Sequence, residues 1–323
     1  MAATLSDVAT RAGVSLATAS RAFKDPAMLA SGTRQRVMAA AAEVGYGAPL
    51  YNGSRTLGVV VPDMSNAVLS AQIKSMQEQV WHGRHRMVLA DTSEDTVRER
   101  EILERMSSEL DGIVLVSPRL PALDIEAAVG AAPLVIVNAE AGTAPRILMD
   151  EAQGLREAVE HLYALGHRKI VYVPGPASSA ANTRRKAALV RFCQERDIDL
   201  VFAGNQAATV LGGRSAAASV IASGATAVVA YNDLVALGVM SGARDLGRQC
   251  PGDLSIVGID DIEMASVFDP GLTTVRLPIE RSGALGMEML LDLIAGRSLS
   301  RTEVRLESQL IVRYSTSTAP SGT

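Results

Sequence analysis

Aromatic side chains are scarce here: one Trp, six Tyr and four Phe make up 3% of 323 residues. With 48% apolar residues the chain has ample material for a core, but Ala, Val, Leu and Ile must build it. Cysteine is scarcer still. Cys193 and Cys250 stand far apart and outside any metal-ligand spacing. That excludes a disulfide framework and reads as two reduced, buried thiols of a cytosolic protein. No apolar run approaches the roughly 18 residues that a membrane helix needs. The N-terminus lacks an apolar segment and carries Asp7 early, which argues against a secretory signal, so the expected compartment is the cytoplasm.

Catalytic signatures are missing too. There is no Gly-rich phosphate loop, no Ser-based nucleophile elbow and no zinc spacing. His82 and His85, three apart on a helical stretch, come nearest to a metal pair, but lone histidines at a polar helix end are ordinarily solvated. His161 and His167 read as structural, and Arg98–Arg105 as a charge-laced solvent face. Neither an enzyme, a metal nor a cofactor is expected.

What is present begins at the N-terminus. The net charge of −4 is uneven: residues 1–56 carry about +3, leaving about −7 for the rest. A mildly basic head on an acidic body can still bind phosphate, because the footprint is local; so small an excess predicts modest, salt-sensitive non-specific affinity. Thr4 with Asp7 reads as a helix start. Val8, Ala9 and Ala12 share a face, and Gly13 ends the helix where positive φ costs little. Ser15 is placed to cap a second helix with Ala19 and Ala22 inward and Leu16, Ala17, Ser20 and Arg21 mostly outward. Two helices joined by a short Gly-containing turn form the helix-turn-helix pattern.

The residues T-L-x-D-V-A-x-x-A-G-V-S-x-x-T-x-S-R, followed by Thr33-Arg34, Arg36-Val37 and Glu43-Val44-Gly45-Tyr46, resemble the opening of the lactose/galactose repressor family of bacterial transcription factors. The resemblance implies a three-helix DNA-binding head over residues 1–46. It puts Leu16, Ala17 and Arg21 at the base-reading face. Arg21 can give two parallel donors to guanine, while Leu16 and Ala17 can read only apolar surface such as a thymine methyl. Thr4, Ser15, Thr18, Ser20 and Lys24 are the candidate backbone contacts, which position the head without specifying sequence.

Residues 47–56 read as a linker, GAPLYNGSRT. Here the chain departs from the family pattern, which implies a longer segment with a hinge helix built on Ala-Arg-x-Leu. About ten residues separate Tyr46 from the Leu57 strand, without that core, so a plain flexible tether is expected. From Leu57 strands and helices alternate. LGVVVPD (57–63), RMVLADT (86–92), DGIVLVSP (111–118) and PLVIVNA (133–139) make one set. KIVYVPG (169–175), LVFAG (200–204), AVVAYN (227–232) and LSIVGID (254–260) make another. Unalternated Val, Ile and Leu runs predict buried parallel strands. The expected fold is therefore α/β: a helix-turn-helix head and two doubly wound parallel-sheet lobes over residues 57–318.

This body is similar to the family's effector-binding core, itself like periplasmic sugar-binding proteins, through Leu165-Gly166-His167-Arg168, Asn232-Asp233, CPGDLSIVGIDD (250–261), DPGLTTVRLP (269–278) and LIVRYST (310–316). By that resemblance the chain crosses between lobes near 140–150, 278–281 and 305, and a small molecule binds between them. Strand ends nominate Asp63, Asn66, Asp91 and Asn138 in the first lobe and Arg185, Asn232 and Asp260 in the second. The resemblance gives Arg185 and Asp260 a shared polar ligand; Asp260, Asn232 and Asp233 could instead cap helices. The stretches Asn66–Leu69 and Gly204–Ala207 lack the aromatic platforms usual in relatives, leaving Phe268 or Trp81 to enter from elsewhere, so a small polar or acidic metabolite fits as well as a sugar. The polar end STSTAPSGT is expected to be disordered, with residues 319–323 as the tail, and no tetramerising heptads follow, so a homodimer is expected.

The resemblance thus implies a sequence-specific transcriptional regulator, most often a repressor, binding a near-palindromic operator as a homodimer under the control of a cleft-bound effector. A small-molecule binding protein of the same core without functional DNA contact is the alternative, kept open by the missing hinge.

Overall fold

The computed structural model describes residues 4–24, 29, 31–44, 53–140 and 142–320. Two compact units result, Met1–Arg55 with Gly83–Arg86, and Thr56–His82 with Met87–Thr323. The linker residues 47–52, on which the tether expectation rests, lie outside the described residues, as do Gly45, Tyr46 and residues 321–323.

The head holds α1 (Leu5–Ala12), α2 (Leu16–Lys24) and α3 (Ser31–Val44). Thr4 and Asp7 cap α1 reciprocally: the Asp7 N–H donates to the Thr4 hydroxyl at 3.4 Å, and the Thr4 N–H donates to Asp7 Oδ2 at 2.7 Å. Gly13, at φ 63°, ends α1 in the left-handed region, and the Val14 N–H turns back to the Ala9 carbonyl at 3.0 Å. Ser15 Oγ then accepts the Thr18 N–H at 3.2 Å and opens α2. Among the described residues, small side chains (Ala9, Ala19, Ala22, Ala40 and Ala41, with Val8 and Val37) form the centre.

The second unit contains two lobes. The first begins with β1 (Thr56–Val61), α4 (Ala67–His82), β2 (Arg86–Asp91), α5 (Thr96–Glu109), β3 (Gly112–Val116), α6 (Ala122–Val129), β4 (Leu134–Val137) and β5 (Arg146–Asp150). The chain then builds α7 (Ala152–Ala164), β6 (Lys169–Val173), α8 (Ala180–Gln194), β7 (Asp199–Phe202), α9 (Val210–Ala222), β8 (Ala227–Ala230), α10 (Asp233–Asp245), β9 (Ser255–Asp260), α11 (Glu263–Val267) and β10 (Thr273–Arg276). It returns through α12 (Ile279–Ile294) and β11 (Glu303–Glu307) and ends with β12 (Gln309–Ile311). The sheets run β11-β5-β4-β3-β1-β2 and β12-β10-β9-β8-β6-β7. β12 pairs antiparallel with β10, while pairs such as β1–β3, β4–β5 and β6–β8 are parallel.

Both faces of each sheet are covered, as unbroken apolar runs require. In β1, Leu57, Val59 and Val61 pack with Met76 of α4 and Met287 and Leu290 of α12, while Val60 points to Leu103 and Met106 of α5. In β6, Ile170 and Tyr172 meet α7 and α8, whereas Val171 and Val173 meet α9 and α10.

Four strands were not among the eight expected. β5, β10, β11 and β12 are three to five residues long and mix polar with apolar positions, so none carries a long apolar run. They flank the crossovers, which fall at Asp150–Ala152, Leu277–Ile279 and Ser308. Ser308 ties two of these together, donating to the Asp150 carbonyl at 2.8 Å and accepting the Gly154 N–H at 3.1 Å.

Residues 315–320 correct the expected disorder of the polar stretch. Ser315 Oγ donates to the Ile256 carbonyl at 2.6 Å and accepts the Thr273 N–H at 2.8 Å, and the Ala319 N–H reaches the Leu165 carbonyl at 2.8 Å. Hydroxyls satisfy backbone groups in the second lobe, so polarity here marks pairing rather than solvation.

Candidate functional site

On the head, α2 turns Ala19 and Ala22 inward and leaves Ala17, Arg21 and Leu16, which is 56% exposed, on the outside. Ser15 and Thr18 are engaged with each other, their hydroxyls 2.8 Å apart, and Thr4 is occupied by Asp7. Ser20 is half-buried; Lys24 closes α2, but its side chain lies outside the described residues.

In the core, strand ends of both lobes converge on a cleft lined by Asp63, Asn66, Glu94, Ser117, Arg119 and Asn138 from one side and Ser179, Arg185, Tyr231, Asn232 and Asp260 from the other. The neighbouring strands β1 and β3, and β6 and β8, are where each sheet's order reverses, and a crevice opens at such points beyond the carboxyl ends. The cavity there is about 60 Å³ and partly open, room for a few water molecules. Backbone strain gathers around it. Ser93 (φ 52°), Glu94 (φ 61°), Ser117 (φ 45°), Asn138 (φ 64°) and Asp260 (φ 120°) all sit at positive φ, a cost of order 1 kcal/mol or more for each residue that the surrounding contacts must offset.

Arg185 anchors the second lobe's side. Its Nη2 and Nε donate to Glu151 Oε1 at 3.0 and 3.2 Å, Nη1 donates to the Tyr231 carbonyl, and its guanidinium lies 4.8 Å from the Tyr231 ring centre. Burial alone would lower the Arg185 pKa, but Glu151 and Asp260 outweigh it and the net shift is upward. Asp260 lies 3.7 Å from Arg185 and, among the described residues, accepts no hydrogen bond. Burial pushes its carboxyl up to about 7, with Arg185 opposing and Glu151 adding.

Of the other nominated residues, Asn138 bridges the lobes: its Nδ2 donates to Ser117 Oγ at 3.0 Å and its Oδ1 accepts Arg184 Nη2 at 2.8 Å. Asp63 and Asn66 line the cleft but also hold their own loop, accepting the Ser65 and Val68 N–H groups. Asn232 reaches the cleft wall, yet its side chain caps α10 by accepting the Val235 N–H at 2.9 Å, so capping occupies its oxygen. Asp91 is a correction. It does not line the cleft; it accepts the Met64 N–H at 2.8 Å and the Ser93 N–H at 2.6 Å, building the loop that presents Glu94. Asp233 is buried, donating nothing to the cleft and accepting Thr274 Oγ1 and the Ile262 N–H.

Several lining residues escaped sequence reasoning. Arg119, whose side chain is 6% exposed, chelates Glu94 through Nε and Nη2 and donates from Nη1 to the Ser117 carbonyl. Behind it, buried Glu99 accepts the Arg119 N–H at 2.9 Å, and desolvation raises the Glu99 pKa. Tyr231 supplies the aromatic wall, its hydroxyl 3.0 Å from Ser179 Oγ. The two aromatics considered earlier are elsewhere: Trp81 is exposed on α4, and Phe268 packs on the second lobe's core. Only the position of Tyr231 at a strand end signalled it. Cys250 is half-buried rather than buried. Among the described residues no helix is long and apolar enough to cross a membrane.

Comparison with known proteins assigns the two parts. Residues 4–48 match the bacterial regulatory proteins of the lacI family, and residues 159–316 match the periplasmic binding protein-like domain. An uncharacterized HTH-type transcriptional regulator in the aml 5′ region of Streptomyces limosus is 33% identical over 97% of this chain and 94% of its own length. The HTH-type transcriptional repressor CytR of Escherichia coli (strain K12) is 31% identical over 99% of this chain and 98% of its own. The chain belongs to the LacI family of regulatory proteins. Among solved structures, the lac repressor dimer bound to operator and the anti-inducer ONPF superposes with a TM-score of 0.78 at 25% identity, over 98% of this chain and 100% of that one. As a LacI-family member it is a transcriptional regulator with a DNA-binding head and a ligand-binding core.

Proposed function

We propose that this regulator binds a near-palindromic operator as a homodimer, α2 reading the major groove, and that a small polar metabolite held between the lobes sets operator affinity. Repression is the expected sign, since CytR and the lac repressor are repressors by name, and the cytoplasm is the expected compartment. The observation that carries the reading is the one-sidedness of α2: apolar anchors at Ala19 and Ala22, and Leu16, Ala17 and Arg21 exposed on the outside. Among the described residues, no hydrogen bond or ion pair within the head engages that face. In the core, three crossovers leave hinge motion as the available response to a ligand in the cleft.

A gel-shift against the gene's own upstream region tests this. Arg21→Ala should weaken binding by about 1–3 kcal/mol if the guanidinium reads a guanine, while the core's melting temperature stays fixed. An unchanged shift in Arg21→Ala removes α2 as the reader; no shift for the wild-type chain favours a binding protein without DNA contact. The effector half is tested by titrating operator with and without ligand: because linkage is reciprocal, operator must change ligand affinity by the same factor that ligand changes operator affinity.

A further inference from the structure

We propose that the second lobe carries a further binding site, for a small aromatic monocarboxylate, between the end of α10 and the loop joining α11 to β10. The site stands apart from the cleft, since the two cavities share no lining residue.

Local sequence builds it. Met240 and Arg244 stand four apart on one face of α10. Gly247, at φ 77°, turns the chain through the left-handed region, and the Arg248 N–H returns to the Ala243 carbonyl at 2.9 Å. That turn brings Arg248 to the same cavity as Arg244. A tight loop follows. Asp253 Oδ2 accepts the Gln249 N–H at 2.7 Å, and the Gln249 carbonyl accepts the Asp253 N–H at 2.8 Å, which sets Gln249 and Cys250 at the lining. The remaining lining residues, Phe268, Asp269 and Pro270, lead from α11 to β10. Cys250 precedes β9 and Pro270 precedes β10, and these two strands are parallel. The cavity therefore lies toward the amino ends of the sheet, whereas the cleft opens beyond the carboxyl ends.

Its size and surface suit a ring. The cavity is about 180 Å³ and partly open; a closed apolar cavity of about 150 Å³ takes benzene. Met240, 4% exposed, and half-buried Phe268 and Pro270 supply apolar surface. A thioether and a phenyl ring are both favourable neighbours for a second aromatic ring.

The charged groups call for an anion. Among the described residues, neither Arg244 nor Arg248 makes a side-chain hydrogen bond, ion pair or ring contact. Neighbouring carboxylates are occupied: Asp245 pairs with Arg214 at 2.7 Å, and Asp253 holds the Gln249 amide. Asp269 is the one carboxylate in the lining. Two guanidiniums against one carboxylate leave a single positive charge, which matches a monoanion better than a dianion. A ligand carboxylate can accept from the guanidiniums while its ring covers Met240 and Phe268.

The experiment titrates the full-length protein at neutral pH with benzoate, its neutral isostere benzamide, benzylamine and inorganic phosphate, by calorimetry and methyl NMR. Benzoate should bind at millimolar concentration or below, about three- to tenfold more tightly than benzamide, as charge-assisted contacts at an exposed site allow. Benzylamine and phosphate should bind more weakly than benzoate. The Met240 methyl resonance, assigned with Met240→Leu, should move as benzoate saturates. Arg244→Gln with Arg248→Gln should erase the preference for benzoate over benzamide and leave the melting temperature unchanged, because both side chains are exposed. No response to millimolar benzoate overturns the proposal. Equal binding of benzamide, or an undiminished preference in the double variant, overturns the guanidinium contact. Phosphate or benzylamine binding as tightly as benzoate overturns the match to an aromatic anion. A Met240 methyl that stays still at saturation puts benzoate elsewhere and overturns the site, while the effector reading of the cleft is untouched by any of these results.

Discussion

Arg185 on α8 and Glu151 at the first crossover form a buried pair in which two guanidinium nitrogens converge on one carboxylate oxygen, at 3.0 and 3.2 Å. The pair joins the segment on which the lobes hinge to the floor of the cleft, so it is both a structural tie and the frame for Asp260.

Glu151→Gln should therefore have two effects. Removing one partner of a buried ion pair leaves Arg185 under-compensated and should destabilise the fold by about 3–5 kcal/mol, read by urea unfolding. Because Glu151 also raises the Asp260 pKa, the substitution should move that value downward from about 7, read by carboxyl NMR titration. A variant of unchanged stability would mean that Arg184 and Arg185 are solvated in place of Glu151.

Gly175 lies against the Tyr231 ring; a Cβ there would stand 2.5 Å from it. Gly175→Ala must displace the ring and its hydrogen bond to Ser179. The expected cost is about 1–3 kcal/mol of stability, typical of overpacking, together with weakened ligand binding. Thermal unfolding and ligand titration of the variant check both.

His167 gives the core a pH dependence. Its Nε2 donates to the Ser317 carbonyl at 3.1 Å, and in the neutral ring Nδ1 accepts from Thr226 Oγ1 at 2.8 Å. Burial pushes its pKa below the ordinary value of 6.5, with the Ser317 contact opposing. A depressed folded value means the group's stability is present above pH 6.5 and is lost as pH falls through that value toward the folded one. Amide exchange of residues 315–319 should accelerate below pH 6.5, and His167→Gln should remove part of that slope. Exchange in this segment that ignores pH would sink the assignment.

Thr4→Ala removes the hydroxyl half of the α1 capping box. The head should lose about 1 kcal/mol, seen as faster exchange of the Asp7 and Val8 amides, with the core unaffected. Operator affinity should fall with the loss of folded head.

Both layers of the fold were legible because their signals are local. The Thr4/Asp7 cap, the Gly13 turn and the Ala19/Ala22 face lie within a few residues of one another. The eight main strands announce themselves as Val, Ile and Leu runs, since a strand covered on both faces has no polar side to show. β5, β10, β11 and β12 were less visible because they lie at or beside the crossovers, where short pairing needs few apolar residues. The cleft was half legible. Arg185, Asp260 and Asn138 stand where strand ends converge; Asp91 stands at a strand end too, but its oxygens are consumed by the Met64 and Ser93 amides.

By itself the sequence determined the family, the head and the two-lobed core, because periodicity, caps and apolar runs are properties of neighbours along the chain. Only tertiary structure decided which charges meet. Glu94 with Arg119 and Glu151 with Arg185 are separated by 25 and 34 residues, and whether a carboxylate at a strand end is spent on its own loop or left open to a ligand depends on what the fold brings beside it.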